Sequence, residues 1–194
     1  ELIKIVYRGS VPGVVGAALA AIVLIATLIN AQVVATGTAL VVLAVILVNS
    51  AIRLGLVEAH RRRAPPPSAW RRWSDMMFAS SLLGGLTWGF GALVLMPVGR
   101  LDYQLMILVV NLALASGAVS AFAGFSPTFL ANFVPMVLPL FIWFGTQGDL
   151  PHYALVVLGI LWMVVIIVLA RQFASNIFDS LQLLLAPVVA LGVL

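Results

Sequence analysis

"NFVPMVLPLFIWFG", residues 132–145, is apolar enough for a protein core or a bilayer, yet it carries Pro135 and Pro139 one helical turn apart. Inside a helix each proline removes a backbone donor and crowds the carbonyl four residues earlier, at about 3 kcal/mol or more. The carbonyls so freed, those of Ala131 and Pro135, must find partners in neighbours, water or a ligand. Which of these applies depends on the medium around the segment.

That medium is lipid. Hydrophobic residues make up 63% of the 194-residue chain and charged residues 8%, against roughly 25% charged in soluble domains. There is not enough polar surface to coat a globule. A helix crosses the hydrocarbon core in about 20 residues, and six such spans are expected, at 11–29, 36–56, 76–97, 103–122, 129–144 and 153–170. The breaks between them, "NAQ" at 30–32, the polar stretch 58–75, "VGRLD" at 98–102, "GFSP" at 124–127 and "GTQGDLP" at 145–151, are polar, and all but the first add glycine or proline. The expected fold is all-α, a polytopic membrane bundle of six transmembrane helices.

Orientation follows from the basic residues, which are retained on the cytoplasmic side. With the N-terminus in the cytoplasm, Lys4, Arg8, Arg53, Arg61, Arg62, Arg63, Arg71, Arg72 and Arg171 fall inside, and only Arg100 falls outside. The expected topology is multi-pass, with the N-terminal stretch "ELIKIVYRGSVPG" as a retained signal anchor. The net charge of +4 sits at the ends of apolar runs, which fits a lipid partner and not nucleic acid.

The longest break, "EAHRRRAPPPSAWRRWSD", sets Arg61, Arg62, Arg63, Arg71 and Arg72 around a triple proline, with Trp70 and Trp73. The prolines favour a stiff extended spacer, and both tryptophans suit the headgroup layer. This cluster reads as a membrane-surface patch touching anionic headgroups, or as a specific lipid or partner dock.

No carboxylate lies in the middle of a span, and no HExxH, phosphate loop or GxSxG motif is present. With no cysteine and with His60 and His152 far apart, neither a metal site, a cofactor nor a catalytic residue is expected, and the chain does not read as an enzyme. No repeat stands out, and since the first two spans show no interior proline, the paired broken helices of an inverted-repeat transporter are not supported.

What remains is a set of small and neutral polar residues in spans three to five. Ser81, Gly84, Gly85, Trp88, Gly89 and Gly91 leave one side of span three without bulk, and Ser116 and Ser120 share a face of span four. These residues serve close helix packing. A functional reading is also open, in which Trp88, Asn111, Ser116, Asn132 and the carbonyls freed near Pro135 and Pro139 line a cavity for a small amphiphilic or lipophilic ligand, neutral because no buried charge is expected.

The stretch 88–182, with "LTWGFGALVLMP", "ALASGAVSAFAGFSPTFLANFVPMVLPLF" and "ARQFASNIFDSLQL", resembles the N-terminal multi-span sensor regions of proteobacterial signalling proteins. Those regions precede histidine kinase or diguanylate cyclase (GGDEF) modules. The resemblance implies an input domain, usually dimeric, whose last helix passes a signal through Arg171, Asn176 and Asp179 to an output enzyme outside these residues. In that reading 1–182 is the sensory domain. The apolar segment 183–194 departs from the pattern; it is too short to span alone and reads as a truncated seventh span, an interfacial hairpin or a splice. The alternative to a sensor is a non-catalytic subunit or assembly partner of a larger membrane complex; a passive carrier is a third reading.

Overall fold

The computed structural model describes the backbone of residues 2–63, 66–122 and 126–190, and the side chains at 11–63, 66, 68–119, 127–176 and 179. Its elements are α1 (Leu2–Asn30), α2 (Thr36–Arg63), a 3-10 turn (Pro67–Ala69), α3 (Trp70–Val94), α4 (Leu101–Phe122), α5 (Ser126–Gly145) and α6 (Leu150–Ala190). No strand occurs among the described residues. All six helices contain a stretch long and apolar enough to cross a bilayer, so the expected all-α membrane bundle is the fold found.

The departures lie at helix ends. Helix α2 continues past residue 56 because Glu58 pairs with Arg61 (2.9 Å) and Arg62 (2.6 Å) one turn on, and a basic last turn suits the negative end of the helix dipole. The polar stretch 58–75 is therefore helical at both ends. The expected stiff spacer narrows to the 3-10 turn, with Ala64 and Pro65 outside the described residues. Trp70 is half exposed, with the Arg71 guanidinium over its ring at 5.4 Å. Trp73 instead turns inward and meets the ring of His60 edge-on at 4.9 Å, so the headgroup expectation fails for it.

At the other end of the chain, α1 begins at Leu2, which places Pro12 inside the helix and corrects the expectation that the first span lacks an interior proline. Helix α6 is 41 residues long and runs unbroken across position 183 to Ala190. Residues 191–194, the end of the apolar segment 183–194, lie outside the described residues.

Helix neighbours trace a closed ring, α1 to α2 to α3 to α5 to α4 and back to α1, with α6 outside it in the groove between α5 and α4. The most intimate pair is α3 with α5. There the small stripe of α3, with Ser81, Gly84, Gly85 and Gly89 all buried, meets the proline-bearing face of α5. Outside the ring, α6 docks through aromatic contacts: Phe133 stacks on Trp162 at 5.6 Å, and the ring of Phe141 lies over Gly159, where an added Cβ would come within 2.2 Å of it.

The end of the bundle opposite the arginine cluster is tied by a polar chain that joins the α3–α4 and α5–α6 connections. Gln104 on α4 donates through Nε2 to the Pro97 carbonyl at 2.7 Å, and its Oε1 meets Nε2 of buried His152 at 2.9 Å. The other ring nitrogen of His152 faces Asp149, whose carboxylate also accepts the His152 backbone N–H at 3.0 Å. Asp149 thereby caps α6. Gly148, with φ of 80°, supplies the left-handed turn that brings it there.

The His152 backbone N–H, and then its side chain, hold the Asp149 carboxyl below the usual carboxylate range. A depressed folded pKa stabilises the fold above the ordinary aspartate value of about 4, and the contribution is lost as pH falls through the lower folded value. Acidification below about pH 4 is therefore expected to speed amide exchange in the first turn of α6. In Asp149→Asn that acid dependence should vanish; an unchanged profile would show that the cap is not held by this carboxylate.

Candidate functional site

A cavity of about 190 Å³ lies at the centre of the ring, touched by all five of its helices. One wall is polar: Asn49, Ser50 and Arg53 from α2, Gly84 and Trp88 from α3, Asn132 and Met136 from α5. The opposite wall is small and apolar, from Gly13, Val14, Gly16 and Ala17 on α1 and Ala113, Leu114, Gly117 and Ala118 on α4. The volume has room for on the order of ten waters.

Arg53 is the residue that sequence reading misplaced. It was counted with the basic residues that set the cytoplasmic side, but it lies ten positions before Arg63, about 15 Å down α2 from that end. It is only 8% exposed. Its Nη2 donates to the hydroxyl of Ser81 across the α2–α3 contact at 3.3 Å. Guanidinium stays charged at any physiological pH, so the bundle holds a buried cation. This removes the premise that a bound molecule must be neutral.

Asn132 faces the same point. Its Nδ2 reaches the Ser81 carbonyl at 3.4 Å, which orients the amide toward α3. Ser50 is turned away from the cavity in its donation, to the Ile46 carbonyl one turn back at 2.9 Å.

Of the sequence candidates, Trp88 and Asn132 line the cavity and the others do not. Asn111 is fully buried and donates to the Ile107 carbonyl at 2.9 Å; its Oδ1 has no hydrogen-bond partner among the described residues. It borders a separate void of about 10 Å³, also touched by Trp88, at the lower limit for one water. Ser116 donates to the Leu112 carbonyl at 2.8 Å, and Ser120 lies outside the residues whose side chains are described.

Pro135 faces α3. A Cβ on Gly89 would sit 2.0 Å from the Pro135 carbonyl oxygen, and one on Gly85 would sit 2.2 Å from the Asn132 oxygen and 2.8 Å from Pro135 Cγ. The Pro135 carbonyl is the one that Pro139 leaves without an intrahelical donor. At glycine that direction holds a hydrogen, so the freed oxygen meets a Cα–H of α3, a weak but recurrent helix–helix contact. The α3 glycines, not a ligand, cover this carbonyl.

Arg171, Asn176 and Asp179 lie exposed on α6 beyond Ala170, the last buried residue described on that helix. In the basic cluster, Arg61, Arg62, Arg63, Arg71 and Arg72 are exposed at one end of the bundle. A larger groove of about 480 Å³ runs along the outside of α2 and α3, but its polar atoms are confined to two threonine side chains, Thr38 and Thr87, and backbone. It offers a lipid chain a surface and little chemistry.

These features define a six-helix polytopic membrane protein with a polar, arginine-bearing cavity inside a five-helix ring. Comparison with protein-family models, curated proteins and solved structures returned no match.

Proposed function

We propose that this chain is a non-catalytic sensory module of a bacterial inner membrane, N-terminus in the cytoplasm, in which a small amphiphile in the central cavity shifts α5 against α3 and α6 conveys the shift. The observation that carries this reading is the cavity itself, because its polar wall ends at the α3–α5 contact. Asn132 lines the cavity and is three residues before Pro135. A ligand that favours one packing of that contact shifts the equilibrium by up to the ratio of its affinities for the two packings.

The step to α6 runs through Phe133 on Trp162 and Phe141 on Gly159. At 41 residues, α6 is about 60 Å long, twice the hydrocarbon thickness of about 30 Å. A helix of that length suits transmission to a cytoplasmic output domain, and the resemblance to kinase and diguanylate cyclase input regions points the same way. A second reading, a non-catalytic subunit of a larger complex or a homodimer, draws on the outer face of α6, where Val157, Leu158, Leu161, Val164 and Val165 are exposed.

The absence of cysteine makes a direct test simple. Spin labels at Met76→Cys on α3 and Gln172→Cys on α6, in nanodiscs, are expected to report a distance change of about one helix-shift step, 1–2 Å, on adding laurate or dodecanol. An unchanged distribution with both amphiphiles bound would remove signalling from the account.

A further inference from the structure

We infer that the central cavity receives the anionic head of a single-chain amphiphile, a carboxylate or phosphate monoester, on Arg53, Asn49 and Asn132, an inference that rests on reading the cavity as a ligand site. The point directly above Gly84 is where the donors converge. The position a Cβ would take there is 3.4 Å from Arg53 Nη1, 3.5 Å from Asn49 Nδ2 and 3.6 Å from Asn132 Nδ2. Three nitrogens from two helices thus surround one small volume kept open by a missing side chain. One belongs to a permanent cation and two to amides, a donor set that matches an oxyanion and offers a hydroxyl head much less.

Two further observations give the ligand its shape. Among the described lining residues there is no carboxylate, so the chemistry of the wall is donor-rich and cationic, and a cationic head is disfavoured. Gly13, Gly16, Ala113 and Gly117 on the opposite wall are exposed, and an added Cβ at any of the three glycines would meet nothing within 4 Å. The wall formed by α1 and α4 thus has open space beside its small residues, which we take as the way an alkyl chain leaves toward lipid. Its volume of about 190 Å³ suits a head and its first carbons, and the rest of an alkyl chain leaves through this slot. An intramembrane arginine in such a setting marks a ligand or ion site by default.

Native mass spectrometry of the detergent-solubilised protein tests this with three 12-carbon probes: laurate, dodecyl phosphate and dodecanol. Laurate or dodecyl phosphate is expected to form a one-to-one adduct at least ten times more tightly than dodecanol. Gly84→Ala should weaken the anionic adduct at least tenfold, and it is the informative variant because its methyl makes only ordinary contacts and leaves the fold intact. Arg53→Gln should do the same, with Arg53→Lys retaining most of the affinity. Gly16→Leu, built into open space, should block the slot and lower binding of both anions.

Preference for dodecyl phosphate places the natural ligand among single-chain phosphate monoesters, and preference for laurate among free fatty acids; either supports the inference. Dodecanol binding as tightly as both anions would overturn it, as would a folded Gly84→Ala protein that binds laurate like the parent. Anion binding with no change in the Met76→Cys to Gln172→Cys distance would leave the inference standing and remove the signalling reading. A distance change driven by dodecanol alone would do the reverse.

Discussion

Gly89→Ala is expected to unseat α5 from α3 and to destabilise the bundle by on the order of 3 kcal/mol. A Cβ at this position would lie 2.0 Å from the Pro135 carbonyl oxygen and 3.2 Å from Met136 Cα. Both are backbone atoms, so no rotamer change relieves the clash; the two helices must part along their length. Parting them also strips the freed Pro135 oxygen of its Cα–H neighbour, and in lipid no water replaces it. Gly85→Ala should behave alike, since its Cβ would meet the Asn132 oxygen at 2.2 Å. The control is Gly55→Ala, also inside a helix but with nothing within 4 Å, which should unfold at or slightly above the parent's denaturant concentration. Reversible unfolding in mixed micelles measures all three. A Gly89→Ala protein as stable as the Gly55→Ala protein would mean that α3 and α5 do not approach as closely as described.

The same pair shows what a sequence can and cannot disclose. Of Ser81, Gly84, Gly85, Trp88, Gly89 and Gly91, all but Gly91 are buried. The glycines and serine were legible because small residues at helical spacing have few uses in lipid other than close approach, whereas Gly91 is half-buried and faces Val42 of α2. The six spans were legible because an apolar run of about 20 residues has one economical conformation in a bilayer. The ring order was not legible. Lipid-facing and core-facing side chains are equally apolar here, as Leu158, exposed, and Leu140, fully buried, illustrate, so no periodicity separates the two faces.

Arg53 was hidden for a different reason. Read along the chain it is a cation near other cations, and positive charge near a span end ordinarily reports orientation. Its partner Ser81 lies 28 positions away, and only the α2–α3 packing brings them together. The tie between Gln104 and His152, 48 positions apart, was invisible in the same way. The end of α2 was not legible because the pairs from Glu58 to Arg61 and Arg62 carry the helix beyond its apolar run.

Trp88→Ala is expected to be the most damaging single change to the site. The indole is 8% exposed and stands between the polar cavity and the void beside Asn111, touching both. Truncating a buried tryptophan to alanine costs about 3–5 kcal/mol, through lost transfer free energy and the hole left behind. The hole here has a specific consequence: it joins the two spaces and gives the Asn111 Oδ1, which has no hydrogen-bond partner among the described residues, access to water. Part of the loss should therefore be returned by hydration, placing the measured value toward the lower end of that range. Indole added to the variant should restore stability by refilling the joined cavity, and should leave the parent unaffected. Trp88→Phe keeps an aromatic wall and is expected to lose less than half as much as Trp88→Ala. Unfolding in micelles with and without indole separates these outcomes. A Trp88→Ala protein of parental stability that ignores indole would show that the tryptophan does not divide the two spaces, and the polar cavity would then already extend to Asn111.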